Sequence, residues 1–166
     1  MRIKRDERMS VEEHLEEAKK LYRQAVEEFE IAKEKKDSTY LSDVCAKGWL
    51  SALEATYALF IKKGVREEEL PKADRERRYI VRRYASRELR LYYFSLRDNL
   101  HIEGYYNRSL DFDEVKMQLE DLKYYIEKIE EEIKGRAKGH YAKKIQRGRK
   151  FRERKIKACI RSQGSI

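Results

Sequence analysis

Arg97 and His101 are the two residues of this chain whose types and spacing best suit chemistry on a phosphodiester. They stand four positions apart, so on a helix they share one face and lie one turn from each other. A neutral imidazole can take the proton of a ribose 2′-hydroxyl, while a guanidinium can hold the phosphate with two hydrogen bonds. Together the pair would suffice for metal-free RNA cleavage through a 2′,3′-cyclic phosphate.

A structural interpretation of the same pair stands beside the catalytic one. An arginine and a histidine near the end of a helix also complement the helix dipole and bond its last carbonyls. The spacing alone leaves both interpretations open. The sequence contains no glycine-rich phosphate loop, HExxH pair, clustered Cys and His, or nucleophile elbow, so we predict neither a metal nor a cofactor.

The elements that must position this pair are predicted to be helices. One proline and seven glycines in 166 residues, with apolar residues spaced by three and four, indicate an all-α protein. No apolar run approaches the ~18 residues needed to span a bilayer, and MRIKRDERMS lacks the apolar core of a signal peptide. We therefore expect a soluble, cytoplasmic protein without a membrane span. A charged fraction of 43% with only four glutamines is typical of thermophiles.

The first predicted helix begins with a capping box. Ser10 accepts a hydrogen bond from the Glu13 amide, and the Glu13 side chain reaches back to the Ser10 amide. An apolar stripe over residues 15–32 follows, and the helix is expected to fade near Lys36. His14, in the first turn, is predicted to be solvated.

A second helix is predicted from about Ser38 to Lys63, with Gly64 as its stop. Its broad apolar face includes Cys45 and Trp49, which we expect to be packed in the core.

The third predicted helix carries the candidate pair near its end. It runs without interruption from about Lys72 to His101, and its first half, ADRERRYIVRR, is heavily charged. Gly104 is expected to release the chain from the helix, and residues 105–110 to form a turn.

The fourth predicted helix has the most regular pattern. Asp111 caps it, with Glu114 at the third helical position, and Gly135 ends it. The apolar residues that step by four and three along it are Val115, Leu119, Leu122, Ile126, Ile129 and Ile133. Such a seam is used in antiparallel bundles. We therefore predict an antiparallel up-and-down bundle of four to five helices over residues 1–135.

Residues 136–166 are predicted to form an additional basic helix or tail. Of the 40 Lys and Arg, 13 lie between Lys134 and Ile166 beside one acid, a net charge of +12, whereas residues 1–133 carry −3. We expect nucleic acid contacts from Lys143, Lys144, Arg147, Arg149, Lys150, Arg152, Arg154 and Lys155. An anionic membrane surface, an acidic protein partner and plain solvation are the alternatives.

Two segments resemble a known family. AKGW at 46–49 is similar to the Lys-x-Trp helix of the PaREP-type archaeal proteins, within the wider HEPN-like helical bundles. LHI at 100–102 followed by Tyr105 is similar to that family's Leu-His-aliphatic-x-x-Tyr ending. The resemblance covers roughly residues 10 to 133. It implies a bundle of four or five helices that is commonly a homodimer.

The same resemblance implies a function. Many HEPN proteins are ribonucleases of toxin or defence systems, with an arginine, a polar residue and then a histidine. Arg97, Asp98 and His101 match these three, with three intervening residues where four to six are usual. The resemblance therefore implies that Asp98 and Tyr105 are supporting residues. Other HEPN-like proteins cleave nothing and serve as partners of nucleotidyltransferases.

Three tyrosine pairs, at 92/93, 105/106 and 124/125, add a further expectation. One member of each pair is predicted to pack and the other to be exposed, where it could stack on a base. The sequence thus predicts a HEPN-like protein that binds or cleaves RNA. The alternative is a non-catalytic interaction module, such as a nucleotidyltransferase partner subunit, with a nucleic-acid-binding tail.

Overall fold

The computed structural model describes residues 8–135, which contain five α-helices, a π-helix and no strand. The all-α prediction is confirmed for this part of the chain. Two compact units divide the chain, Met1–Glu130 and Glu131–Ile166, and only residues 131–135 of the second are described. The predicted tail at 136–166, with its nucleic acid contacts from Lys143 to Lys155, lies outside the described residues.

Helix α1 (Val11–Lys35) begins at the predicted capping box. The Glu13 amide donates to Ser10 Oγ at 3.2 Å, and the Ser10 amide donates to Glu13 Oε2 at 2.7 Å. The prediction that His14 is solvated is wrong. Its ring is buried, and Nδ1 lies 2.6 Å from Glu54 Oε2 of the next helix, because the first turn of α1 already faces the core.

Helix α2 (Leu41–Lys62) is the central element, preceded by a short 3-10 turn at Ser38–Tyr40. It pairs antiparallel with α1, since Ser51 Oγ donates to the Ala18 carbonyl at 2.7 Å and Lys47 pairs with Glu28. Cys45 and Trp49 are buried, as predicted, and burial raises the pKa of the Cys45 thiol to about 12. That thiol is therefore a packed apolar group at neutral pH.

The predicted third helix is in fact two helices, α3 (Asp74–Tyr84) and α4 (Arg87–Leu96). The chain turns at Ala85 and Ser86, and the Ser86 hydroxyl caps α4 by accepting from the Leu89 amide at 3.3 Å. The capping preference of Ser86 therefore starts a new helix, although the helical spacing of apolar residues continues across it. Because of the turn, α3 folds back along α4.

Residues Arg97–Tyr106 form a π-helix that continues from α4. The predictions that Gly104 releases the chain and that a turn begins at Tyr105 are both wrong. Gly104 is buried inside the π-helix, where an added Cβ would lie 2.4 Å from Cys45 Sγ. Glycine is used here for close approach to α2 rather than as a helix stop.

Helix α5 (Phe112–Ile133) carries the predicted apolar seam. Its capping pair is confirmed, because the Glu114 amide donates to Asp111 Oδ1 and the Asp111 amide to Glu114 Oε2, each at 2.8 Å. Against α1 it runs antiparallel: Phe112 lies against Phe29, and Lys19 pairs with Glu130 at 3.0 Å. None of the helices within residues 8–135 combines the length and the hydropathy that crossing a bilayer requires.

Candidate functional site

The turn between α3 and α4 brings Asp74 to the guanidinium of Arg97. Arg97 Nε donates to Asp74 Oδ1 at 2.8 Å, and Nη2 donates to Oδ2 at 2.9 Å. The arginine side chain is 21% exposed and the aspartate 29%. This two-pronged geometry is the strong form of an Arg–carboxylate contact, so it fixes the plane of the guanidinium.

Asp98, one of the predicted supporting residues, also binds Arg97. Arg97 Nη1 donates to Asp98 Oδ1 at 2.7 Å, and the Asp98 side chain is 65% exposed. These contacts use three of the five N–H donors of the guanidinium, and two remain. The partly buried edge of Arg97 is therefore anchored by Asp74, while its other edge meets solvent beside Asp98.

The ion pair shifts the pKa values of both Asp74 and Arg97. The hydrogen bonds from Arg97 lower the pKa of Asp74 below its ordinary 3.8, against an opposing effect of burial. In return, the hydrogen bond to Asp74 raises the pKa of Arg97. Both groups are consequently charged throughout the neutral range.

His101 is half-buried among aromatic rings. Its imidazole stacks on Trp49 with ring centroids 5.3 Å apart and planes 23° apart. Tyr105, the other supporting residue, lies nearly parallel to it at 6.3 Å, and Tyr106 meets it edge-on at 4.9 Å. Trp49 of α2 thus provides the aromatic surface on which the imidazole stacks.

The charge state of His101 follows from these surroundings. Burial, followed by the positive charge of Arg97, lowers the pKa of His101 below its ordinary 6.5. A smaller contribution from Arg77 acts in the same direction, and Asp74 opposes it. The imidazole is therefore mostly neutral at pH 7, the state that a general base requires.

Two more arginines gather near Asp74. Arg78 Nε lies 3.0 Å from Asp74 Oδ2, and Arg77 Nη1 donates to the carbonyl of Lys72 at 2.9 Å. Within the described residues, the buried Arg77 Nε and the Tyr93 hydroxyl have no hydrogen-bond partner of good geometry. Burial raises the pKa of Tyr93 to about 12, so this hydroxyl keeps its proton.

The structure brings the predicted Arg97, Asp98, His101 and Tyr105 together in one π-helix. Such helices are rare and frequently mark functional sites. One of the tyrosine expectations fails here: Tyr105 and Tyr106 are both exposed, at 39% and 64%. Both flank His101 instead of dividing into one packed and one solvated ring, because Gly104 takes the buried position of this turn.

Asp74 is the site residue that sequence reasoning missed. It lies 23 positions before Arg97, and the only signal that could have found it is Ser86, a helix-capping residue in the middle of an apparently continuous helix. The sequence predicts that Trp49 lies in the core, but its stacking on His101 depends on the packing of α2 against the π-helix.

Within the part of the chain that is described, no three or more His, Cys, Asp or Glu side chains converge as a metal site would require. No protein-family model matches the chain, and a search of curated proteins finds no significant match. What can be said of function therefore rests on the residues and their geometry.

Proposed function

We propose that this protein is a HEPN-like, antiparallel up-and-down helical bundle that binds RNA and cleaves it without a metal at Arg97 and His101. The observation that carries the proposal is the pairing, in one π-helix, of an anchored guanidinium with a neutral imidazole. Aromatic rings at Tyr105 and Tyr106 lie beside the imidazole, where unstacked bases could pack.

The proposed reaction is a transesterification. His101 takes the proton of a ribose 2′-hydroxyl, and the 2′-oxygen attacks the adjacent phosphorus. The bond from phosphorus to the 5′-oxygen breaks, and that oxygen takes a proton from water or from an imidazolium. The products are a 2′,3′-cyclic phosphate and a free 5′-hydroxyl.

Arg97 holds the phosphate in this scheme. Asp74 keeps the guanidinium oriented, and the two N–H groups not used by carboxylates are donors for phosphate oxygens. Asp98 is well exposed, so a phosphate can take its place on Nη1. Charge on the phosphate would then be stabilised by a group that needs no reorganisation.

A homodimer, in the cytoplasm, is part of the proposal. The large apolar side chains that remain exposed on the helices include Leu50, Leu91 and Met117, at 49%, 64% and 61%. Two-fold pairing would cover some of this surface and would place two Arg97–His101 pairs in one assembly. Sedimentation at tens of micromolar protein is expected to give the mass of two chains.

A non-catalytic interaction module is the second candidate. The contact between Asp74 and Arg97 favours it, because that ion pair ties α3 to the π-helix and would be useful without any chemistry. On this proposal Arg97 and His101 are structural, and the protein acts as a partner subunit that contacts nucleic acid through its basic segments.

Labelled single-stranded RNA incubated with the purified protein and a chelator separates the two candidates. We expect products ending in 2′,3′-cyclic phosphate from the native protein and none from His101→Ala. Arg97→Lys should also be slow, because lysine keeps the charge but loses the two-pronged grip. Arg23→Ala, an exposed cation on α1, is the matched control and should cleave normally. Cleavage that survives in His101→Ala, or is absent from the native protein, rejects the enzyme.

A further inference from the structure

Positive charge is concentrated in the α3–α4 region. Residues 72–90 contain eight Lys and Arg against three Asp and Glu, a net charge of +5, whereas the rest of residues 1–133 carries −8. Seven of the eight bases are arginine, the side chain whose planar fork matches phosphate. The charge is therefore a local feature of these helices and not of the body as a whole.

Most of these arginines have no carboxylate partner. Asp74 forms ion pairs with Arg97 and Arg78. Glu88 accepts a hydrogen bond from the Tyr124 hydroxyl at 2.6 Å. Among the described residues, the arginines of this region that pair with no carboxylate are Arg75, Arg77, Arg82, Arg83, Arg87 and Arg90. Cations elsewhere, such as Lys19 and Lys47, are neutralised by glutamates.

One face of α3 presents part of this charge to solvent. Val81 is the only buried residue of the helix, and on the opposite side Arg75, Tyr79 and Arg82 follow one another at helical spacing. Arg83 lies beside them. Tyr79 is 62% exposed, and the two arginines at the ends of the row are about 10 Å apart along the axis. The face therefore carries cations and an aromatic ring, with the exposed carboxylate of Glu76 at helical spacing from Tyr79.

A groove borders this face. Its volume is about 620 Å³, and it is lined by Arg75, Tyr79, Ile80, Pro71 and two glutamates, Glu69 and Glu76. The tyrosine ring and Ile80 supply apolar surface, and the arginine supplies a phosphate ligand. An unstacked nucleobase has the size and the flat apolar faces to lie there.

We infer that the outward face of α3, with Arg75, Arg82, Arg83 and Tyr79, binds the phosphate backbone and bases of single-stranded RNA. The inference rests on the RNA-directed function proposed above and adds the surface that holds the strand. Arginine forks bind phosphates, and the exposed tyrosine stacks on a base. A single strand is the ligand because stacking needs a base that is not already paired. The same helix carries Asp74, which contacts Arg97 from the side of α3 that holds the buried Val81.

Fluorescence anisotropy with labelled single-stranded RNA tests the surface in the full chain. The variant replaces Arg75, Arg82 and Arg83 with Gln. The control replaces three exposed cations elsewhere, Arg23, Lys62 and Lys116, with Gln and so removes the same charge. Each protein also carries His101→Ala to prevent cleavage. Binding is measured over a range of salt concentrations.

The α3 variant is expected to lose about 2 from the log–log salt slope, because each lost phosphate contact on a single strand removes about 0.7. At 0.1 M salt its affinity should fall on the order of 100-fold, while the control stays near the parent. Equal losses in both variants overturn the inference, as does a native protein that binds anionic vesicles or an acidic protein but not RNA. Circular dichroism checks that the variants remain folded.

Photo-crosslinking is a second measurement that needs no substitution. RNA crosslinked to the native protein should be recovered on the peptide that contains Tyr79, and crosslinks confined to residues 136–166 contradict the inference. The outcome is separable from the cleavage proposal. If the α3 variant binds weakly but no protein cleaves RNA, the surface stands and the enzyme fails; if binding is unchanged and cleavage depends on His101, the reverse holds.

Discussion

Asp74 and Arg97 form a two-pronged ion pair across 23 residues of sequence, with N···O distances of 2.8 and 2.9 Å. An unbroken helix would hold them about 34 Å apart. The turn at Ser86 brings the two side chains into contact. The Asp74 carboxylate, at the start of α3, therefore orients the Arg97 guanidinium at the start of the π-helix. This contact connects the arginine-rich helix with the candidate site, and the stability of the region should depend on it.

Asp74→Asn should lower the free energy of unfolding by about 2 kcal/mol at pH 7, because it removes hydrogen bonds between charged groups that are mostly buried. The pKa of Asp74 is lowered in the folded protein. Its stabilisation is therefore complete above the unfolded pKa of about 3.8 and is lost as the pH falls below it. Urea unfolding at several pH values should show a shallower acid loss in Asp74→Asn than in the native protein.

The control for that experiment is Asp113→Asn, an exposed aspartate in the first turn of α5. It should lose much less stability and keep the native pH dependence. Equal behaviour of the two variants would show that the ion pair with Arg97 contributes nothing beyond an ordinary surface charge.

Arg97→Gln should raise the pKa of His101. In the native protein burial and then the Arg97 charge lower that pKa below 6.5, whereas Asp74 opposes them. Removing the arginine deletes one lowering effect and leaves the Asp74 carboxylate paired with Arg78 alone, so both changes favour the imidazolium. Titration of the histidine ring protons by NMR gives the two values directly, with His101→Ala used to assign the resonance.

An unchanged or lower His101 pKa in Arg97→Gln would mean that burial against Trp49 alone sets the titration. If the protein cleaves RNA, the native rate should rise with pH and level off, with its half-maximum below 6.5, because only the neutral imidazole accepts the proton.

Gly104→Ala should destabilise the protein by about 1–3 kcal/mol, since the new Cβ would meet Cys45 Sγ at 2.4 Å and Cys45 Cβ at 2.8 Å. Gly48→Ala is the comparison. Its Cβ would lie 3.2 Å from the end of the Leu100 side chain, which can shift, and alanine gains helix propensity. Thermal unfolding should rank Gly104→Ala well below Gly48→Ala.

Cys45→Ala should return part of the loss in the Gly104→Ala background, because it removes the sulfur but not the Cβ. Losses that simply add in the double variant would place the strain elsewhere in the π-helix.

Local patterns in the sequence determined α1 and α5 almost completely. Ser10 with Glu13, and Asp111 with Glu114, each satisfy the first amides of their own helix, and the partners are three residues apart. The apolar seam of α5 repeats within one helix, so it predicts that helix whichever apolar element packs against it. Signals of this kind act over one or two turns, so they can be identified in the sequence without the fold.

The candidate site was only half visible in the same way. The sequence identifies Arg97 and His101 because they stand four positions apart and so share one face of a helix. Apolar residues keep a helical period on both sides of Ser86, so the pattern predicts one helix although the Ser86 hydroxyl caps a new one. A serine cap stabilises the start of a helix by only about 1 kcal/mol. The packing of α3 and α4 therefore determines whether the helix breaks at Ser86.

Tertiary structure alone decided the rest. Asp74 reaches Arg97 only after α3 folds back, and His101 meets Trp49 only where the π-helix lies on α2. Gly104 allows close packing because Cys45 lies opposite it. The residues next to Gly104 in the sequence do not indicate this contact. These contacts join residues that are distant in the chain, and their energies depend on the shape of both partners. That shape exists only once the helices have packed.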